Sequence, residues 1–311
     1  MRWRVKGLVQ KTLSVVPGGV RANDALQRAV GAFRRFDDEA DGKIEDFRLM
    51  ASQLATVGVR VDGAVLLEIG TGWYPTLPVC LYLAGARRVV TFDLVRHLQP
   101  DLALRLVRKL HDRTRAIAAA AGADEAAVDE RRADLESRLA RGAPLDVASD
   151  GVIDYRAPAD AAHTGLADGS VDIVFSNSVL EHVPPVVLDG LFAEGRRVLR
   201  PGGVAFHSVN CGDHYAYTDP SVGQLHYLQF PDRVWKRWWN NDLQYQNRLR
   251  AIDFIELAKR HDLEIVRDTR HATPERLEEL RRLPRIADEF AGYAPEELCI
   301  TTVDFVARRP T

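Results

Sequence analysis

Between Val65 and Val209 the apolar residues fall into short runs separated by stretches of helix length. Val65-Leu66-Leu67-Glu68-Ile69 is preceded by Gly63 and followed by Gly70. A brief apolar run bounded by glycine predicts a strand of a parallel sheet, buried on both faces. Arg88–Asp93, Val152–Tyr155, Val171–Ser176 and Val204–Val209 repeat the pattern. A helix from about Thr76 to Ala84, ended by Gly85, separates the first two runs, and a helix from Val187 to Leu199, stopped by Pro201-Gly202-Gly203, separates the last two. Residues 99–141 are rich in Ala, Leu, Arg and Glu and predict two helices broken near Gly122, an inserted helical hairpin longer than an ordinary crossover. Strands alternating with helices predict a doubly wound α/β fold.

The flanks differ. Residues 8–57 predict helix, broken at Pro17-Gly18-Gly19, with Ile44, Phe47, Met50, Leu54 and Val57 recurring at helical spacing. After Asn210 comes a stretch rich in Tyr and Trp, then a helix near Ala251–Arg260. Two further strands are predicted at Leu263–Arg267 and Cys299–Ala307, the latter rich in β-branched residues.

Composition narrows the class. A chain of 311 residues, 46% hydrophobic and 28% charged, can bury a large core. Its net charge of -2 creates no general field for nucleic acid or an anionic membrane, so neither is expected as a partner. Cys80, Cys211 and Cys299 are too few and too scattered for a disulfide framework or a metal-type pair. With no signal-like N-terminus and no run of about 20 apolar residues, the expected location is the cytoplasm.

The densest chemistry follows the first strand. In Glu68-Ile69-Gly70-Thr71-Gly72 the glycines let a ligand approach the backbone at the carboxyl edge of the sheet, where nucleotide-binding α/β folds place their ligands. A P-loop is excluded because no Gly-Lys-Ser/Thr follows. A dinucleotide fingerprint would want glycine or alanine where Pro75 stands, and Trp73 and Tyr74 crowd a pyrophosphate. Asp93, ending the second strand, is placed to accept hydrogen bonds from two ribose hydroxyls, with Leu94 beside it. Asp160-Ala161 follows the third strand, where an adenine edge would lie, and Ser176-Asn177 ends the fourth.

This series, together with Asp172–His182 and Leu199-Arg200-Pro201-Gly202-Gly203, resembles the class I S-adenosylmethionine-dependent methyltransferases over roughly Val65 to Val209. The resemblance implies a Rossmann-like seven-stranded sheet with its last strand antiparallel, and S-adenosyl-L-methionine as cofactor. By position, Glu68, Gly70, Thr71 and Gly72 would flank the methionine part, Asp93 and Leu94 the ribose, Asp160 and Ala161 the adenine, with Ser176 and Asn177 completing the site. The expected organisation is a helical cap over residues 1–60 and a methyltransferase domain over 61–311. Within that domain lie the insertion at about 97–145 and an acceptor or lid segment at about 211–250.

For the acceptor, His182 and His214 are the candidate general bases, with Asp213 or Asp219 to orient His214. The competing reading makes Glu181-His182 a feature that caps or packs the cofactor loop and His214 a solvated loop histidine. Tyr217, His226, Tyr245, Asn247 and Arg248 are candidate acceptor contacts, Arg248 as an anion clamp, against a reading of the last three as a salt-bridged helix start. Trp235, Trp238 and Trp239 read as packing more than as a substrate platform. Asp213, His214 and Asp219 lack diagnostic metal spacing, so no metal is expected. The expected function is methyl transfer to a small-molecule hydroxyl, on a sugar or secondary metabolite. Alternatives are N- or C-methylation, or cofactor binding without transfer. A nucleic-acid methyltransferase is disfavoured by charge and by Ser176-Asn177-Ser178-Val179 at the place of an Asn/Asp-Pro-Pro-Tyr tetrad, and a nicotinamide enzyme by Pro75. The oligomeric state is not legible.

Overall fold

A computed structural model describes residues 2–15, 36–241 and 243–311; the expected break at Pro17-Gly18-Gly19 lies outside them. Seven strands form one sheet: β1 (Val65–Ile69), β2 (Arg88–Phe92), β3 (Ile153–Arg156), β4 (Val171–Asn177), β5 (Leu199–Asn210), β6 (Glu264–Asp268) and β7 (Thr302–Arg308). Their order is β3-β2-β1-β4-β5-β7-β6. The pairs β3-β2, β2-β1, β1-β4 and β4-β5 are parallel, while β7 runs antiparallel to both β5 and β6. This is the doubly wound seven-stranded sheet with an antiparallel last strand that the sequence predicts. The order reverses beside β1, so the crevice beyond β1 and β4 is a topological switch point, where open α/β sheets bind ligands.

The strands are hydrophobic throughout because both faces are covered, and successive side chains point to opposite faces. Leu66, Val89, Ile173 and Phe175 join one core with α2 (Phe36–Thr56), α3 (Thr76–Leu83), α4 (Pro100–Lys109), α5 (Thr114–Ala121) and α6 (Glu125–Ala140). Leu67, Ile69, Val90 and Val174 join the other with α7 (Pro185–Val198) and α8 (Ala251–Arg260). Each large apolar side chain fully buried there contributes about 1.5–3 kcal/mol.

Several expected boundaries shift for local reasons. The insertion holds three helices, not two. A 3-10 turn at Leu110–Arg113 splits the first, and Gly122, left-handed at φ 65°, ends the second. β5 begins at Leu199 and runs through Pro201-Gly202-Gly203, because Leu199 already pairs with Val171 across an irregularity and Gly202 N–H and Gly203 C=O bond Arg309. The C-terminal strand starts three residues late, since Pro295–Cys299 forms a helical turn with Pro at its first position. The charged helix α9 (Pro274–Arg282) was not anticipated.

A third core gathers the aromatic segment. Trp3 of α1 (Trp3–Val15) packs with Tyr215, Tyr227, Leu228, Trp235 and Phe290, and its backbone N–H donates to Asp219 Oδ2 at 2.8 Å.

Candidate active site

The C-terminal ends of β1, β2 and β4 open into a cleft of about 1240 Å³, above the usual few hundred to about 1,000 Å³ for one small ligand. It has room for two ligands. Gly70, Thr71, Gly72, Asp93, Leu94, Asp160, Ala161, Asn177, His182, His214 and Tyr217 all line it.

The turn after β1 needs its glycines for two reasons. Gly70 and Gly72 have φ of +79° and +69°, a region costly to residues with a Cβ. A Cβ on Gly70 would also stand 2.6 Å from Val179 Cγ2, whereas one on Gly72 would meet nothing within 4 Å. Gly72 therefore presents bare backbone to the cleft. Its N–H donates to Asp93 Oδ2 at 2.8 Å, while Val95 N–H donates to Oδ1 at 3.1 Å. Each carboxylate oxygen keeps acceptor capacity for a diol. Asp160 caps its own turn through Ala162 N–H at 2.8 Å and faces His163 Nδ1 at 3.0 Å.

Glu68 and Ser176 sit beneath the cleft. Glu68 is buried, accepts from Thr91, which also bonds Thr71, and burial raises its carboxyl to about 7 against the pull of those hydroxyls. Ser176 Oγ pairs with His207 Nδ1 at 2.8 Å inside the core. Asn177 is engaged from above by Lys43, which α2 brings to the cleft with Glu39, Gly42 and Asp46.

At the other end of the cleft the imidazoles of His182 and His214 lie 4.9 Å apart, centroid to centroid, and Tyr217 stands 5.6 Å from His214. His182 Nδ1 lies 2.6 Å from the Tyr245 carbonyl. A carbonyl only accepts, so Nδ1 carries the proton and Nε2 keeps a lone pair. Although one edge of His182 is open to the cleft, the surrounding protein lowers its pKa, an effect the Tyr245 bond opposes. Burial lowers His214 to about 3, with His182 and Lys6 adding to the effect. Both rings are neutral at pH 7. Beside them Glu181 is buried with no hydrogen bond to either oxygen, and burial raises its carboxyl to about 8. The backbone N–H groups of Glu181 and Asn210 favour its anion electrostatically without reaching hydrogen-bond geometry.

Six expected acceptor-side residues are placed elsewhere. Asp213 does not orient His214: it is fully buried, accepts from Tyr215 N–H and pairs with His226 Nδ1 at 2.9 Å. His226 is thereby drawn into the aromatic core, 4.6 Å from the Trp3 ring. Asp219 holds Trp3 and Ser221. Arg248 is no anion clamp, because it is buried with its guanidinium on the carbonyls of Tyr227 and Phe230 and on Asp232. Asn247 donates to the carbonyls of Leu180 and Val183 at 2.8 and 2.9 Å, bracing the turn that carries His182. Tyr245 acts through its backbone. Among the tryptophans Trp235 is buried and Trp239 packs on Trp3, while Trp238 is 46% exposed.

Sequence reasoning missed Lys43, Glu181, His97 and Asn210 as cleft residues. Glu181 was read only as capping or packing the cofactor loop with His182, and Lys43 left a trace one turn from Phe47, at the edge of the apolar face of α2.

A switch-point cleft with a glycine turn, a strand-end acid and no phosphate loop defines an α/β protein built to hold a nucleoside-bearing cofactor. The family model described as Methyltransferase domain matches residues 112–207, from the insertion to β5. That match agrees with the class I S-adenosylmethionine-dependent methyltransferases that the sequence resembles, with S-adenosylmethionine as the cofactor. Solved structures similar to it include a protein from Galdieria sulphuraria assigned as a sarcosine dimethylglycine methyltransferase, at 15% identity, TM-score 0.45, covering 86% of each chain. Another is geranyl diphosphate methyltransferase in complex with GPP and sinefungin, at 16% identity and TM-score 0.46, covering 85% of this chain and 77% of that one. A third is an S-adenosylmethionine-dependent methyltransferase from Mesorhizobium loti, at 15% identity and TM-score 0.40, covering 80% and 93%. No curated protein matches the sequence. Among the described residues no helix is long and apolar enough to cross a membrane.

Proposed function

We propose that this methyltransferase acts on a hydroxyl of a small polar molecule seated over His182 and His214. The observation that carries the reading is the His182 Nδ1–Tyr245 carbonyl bond, which holds a neutral imidazole with its Nε2 lone pair free to serve the cleft. Bound S-adenosylmethionine supplies an electrophilic methyl on a sulfonium, and the electron pair of the broken S–C bond returns to sulfur.

The chain's own residues hold, orient and deprotonate. Gly70, Thr71 and Gly72 would lie along the methionine part with Glu68 beneath them, Asp93 and Leu94 along the ribose, Asp160 and Ala161 by the adenine, and Asn177 with Lys43 near the reacting end. In-line displacement requires the acceptor oxygen held at about 3–3.5 Å from the methyl. His182 would take the hydroxyl proton as the O–C bond forms, a contribution of typically about 10²–10⁴-fold. Residues 1–60 would act as a cap, the insertion at about 97–145 as a second wall, and 211–250 as the acceptor segment. Lys43 and Asp46, His97, and His214 with Tyr217 support this by reaching the cleft from those stretches.

Separate His182→Ala and His214→Ala substitutions test the reading. With S-adenosylhomocysteine release as the assay over a panel of polyhydroxylated and phenolic acceptors, His182→Ala should lower kcat at least tenfold. Its cofactor affinity should stay within about threefold by calorimetry. Turnover unchanged in both variants would overturn a histidine-dependent O-transfer.

A further inference from the structure

Glu181, His182 and His214 offer one carboxylate oxygen and two ring nitrogens that all lie within 4.8 Å of one another. We propose that these three side chains form a divalent-cation site at the acceptor end of the cleft, taking a first-row transition ion such as Zn²⁺, Mn²⁺ or Co²⁺. The inference rests on the O-transfer reading only for its purpose; the site itself stands on the donor geometry.

Three observations support it. Glu181 is 2% exposed, yet neither carboxylate oxygen has a hydrogen-bond partner. His214 Nε2 is likewise buried and without one. Buried polar atoms are ordinarily paired, and orphans clustered at one point imply a missing group. The third is the Tyr245 carbonyl on His182 Nδ1. An outer carbonyl on one imidazole nitrogen, leaving the other as a lone pair, is how metal-binding histidines are oriented. Two imidazoles and one carboxylate suit these ions better than Mg²⁺ or Ca²⁺, which favour oxygen shells. Ligands each about 2.1 Å from a common ion stand about 3–4 Å apart. A bound ion would draw the donors in to that spacing from the 4.8 Å within which they lie. Of the cations nearby, Lys43 is engaged by Asn177 and Asp46, and Lys6 lies over the Tyr215 ring.

Three protein ligands leave coordination positions for an oxygen of the acceptor. A cation there would lower the pKa of a bound acceptor hydroxyl so that its proton leaves to solvent; with the ion in place His182 Nε2 is a ligand and not the base. The acceptor class is then a hydroxyl with a neighbouring oxygen donor, such as a vicinal diol, a catechol or an α-hydroxy acid.

The test uses the full-length, untagged, chelator-treated protein and Co²⁺ as the probe. One Co²⁺ per chain is expected, with visible d–d absorption, displacement by Zn²⁺ and no thiolate charge-transfer band. Glu181→Gln, His182→Ala and His214→Ala should each weaken Co²⁺ at least tenfold, while His226→Ala, outside the cluster, should not. Calorimetry with S-adenosylhomocysteine reports whether each variant is folded. If a variant unfolds, Cu²⁺ in the wild-type protein decides by pulsed EPR, where two imidazoles are expected. No stoichiometric site, fewer than two imidazoles, or affinity indifferent to all three substitutions would overturn the proposal. A failed cobalt titration with a slow His182→Ala enzyme removes the cation and leaves the histidine base. A good titration without any methylated hydroxyl does the reverse.

Discussion

Gly70 and Gly72 share a left-handed backbone but answer to different constraints. The first is pressed against Val179, so Gly70→Ala combines an overpacking cost of about 1–3 kcal/mol with backbone strain of about 1–2 kcal/mol. Urea denaturation should show that combined loss, with the β4 loop carrying His182 loosened as well. Gly72→Ala bears only the strain, because a Cβ there meets no protein atom. Its effect should appear instead as a loss of at least tenfold in S-adenosylhomocysteine affinity by calorimetry. Affinity within threefold of wild type would show that no ligand passes over Gly72. This turn and Asp93 were legible because strand, turn and acid are local in sequence. Glu181 was not, since its burial depends on an approach by residues after Asn210, and nothing nearby distinguishes it from the exposed His182.

The segment between β5 and α8 makes the same point for a whole element. Its backbone is mostly irregular, so many buried carbonyls lack a strand or helix partner and need side-chain donors. Asn240, Asn247, Arg248 and Arg250 supply them. Arg250, fully buried, donates to the carbonyls of Cys211, Leu298 and Ile300 and to the Tyr227 hydroxyl. Sequence reasoning pointed this polar cluster toward an acceptor, because polarity alone does not say whether a residue faces a ligand or the backbone of its own chain. Arg250→Met should cost at least about 3 kcal/mol in urea denaturation, since several charge-assisted bonds of about 1.5–3 kcal/mol each are lost and their carbonyls stay buried. A loss below 1 kcal/mol would mean that water takes their place. The strands were read well because both-face burial leaves a dense apolar run. α9 was missed because little more than Leu277 and Leu280 marks its inward side.

For the molecule as a whole, the buried titratable groups set opposing pH trends. Burial holds His207 down at about 3, while in the unfolded chain a histidine takes its proton near 6.5. Stability from this group is therefore full above pH 6.5 and lost as pH falls from there toward 3. Glu68 runs the other way. Its native carboxyl keeps a proton to about 7, the unfolded one releases it near 4.3, so stability is lost as pH rises between those values. His207→Leu should flatten the urea midpoint of the protein between pH 6.5 and 4, and Glu68→Gln should flatten it between pH 4.5 and 7. Midpoint profiles parallel to wild type would refute either assignment.

The hydrogen bond from Trp3 to Asp219 joins the beginning of the chain to a segment that leaves the ribosome much later. At about 5–20 residues per second, Trp3 waits on the order of 10–40 s before Tyr215 and Trp235 are made. Throughout that interval the aromatic rings that cover Trp3 in the folded protein are unmade, and the sheet is still missing β6 and β7. The contact between α1 and the segment after Asn210 thus closes late in synthesis, whatever the order in which the rest of the sheet forms.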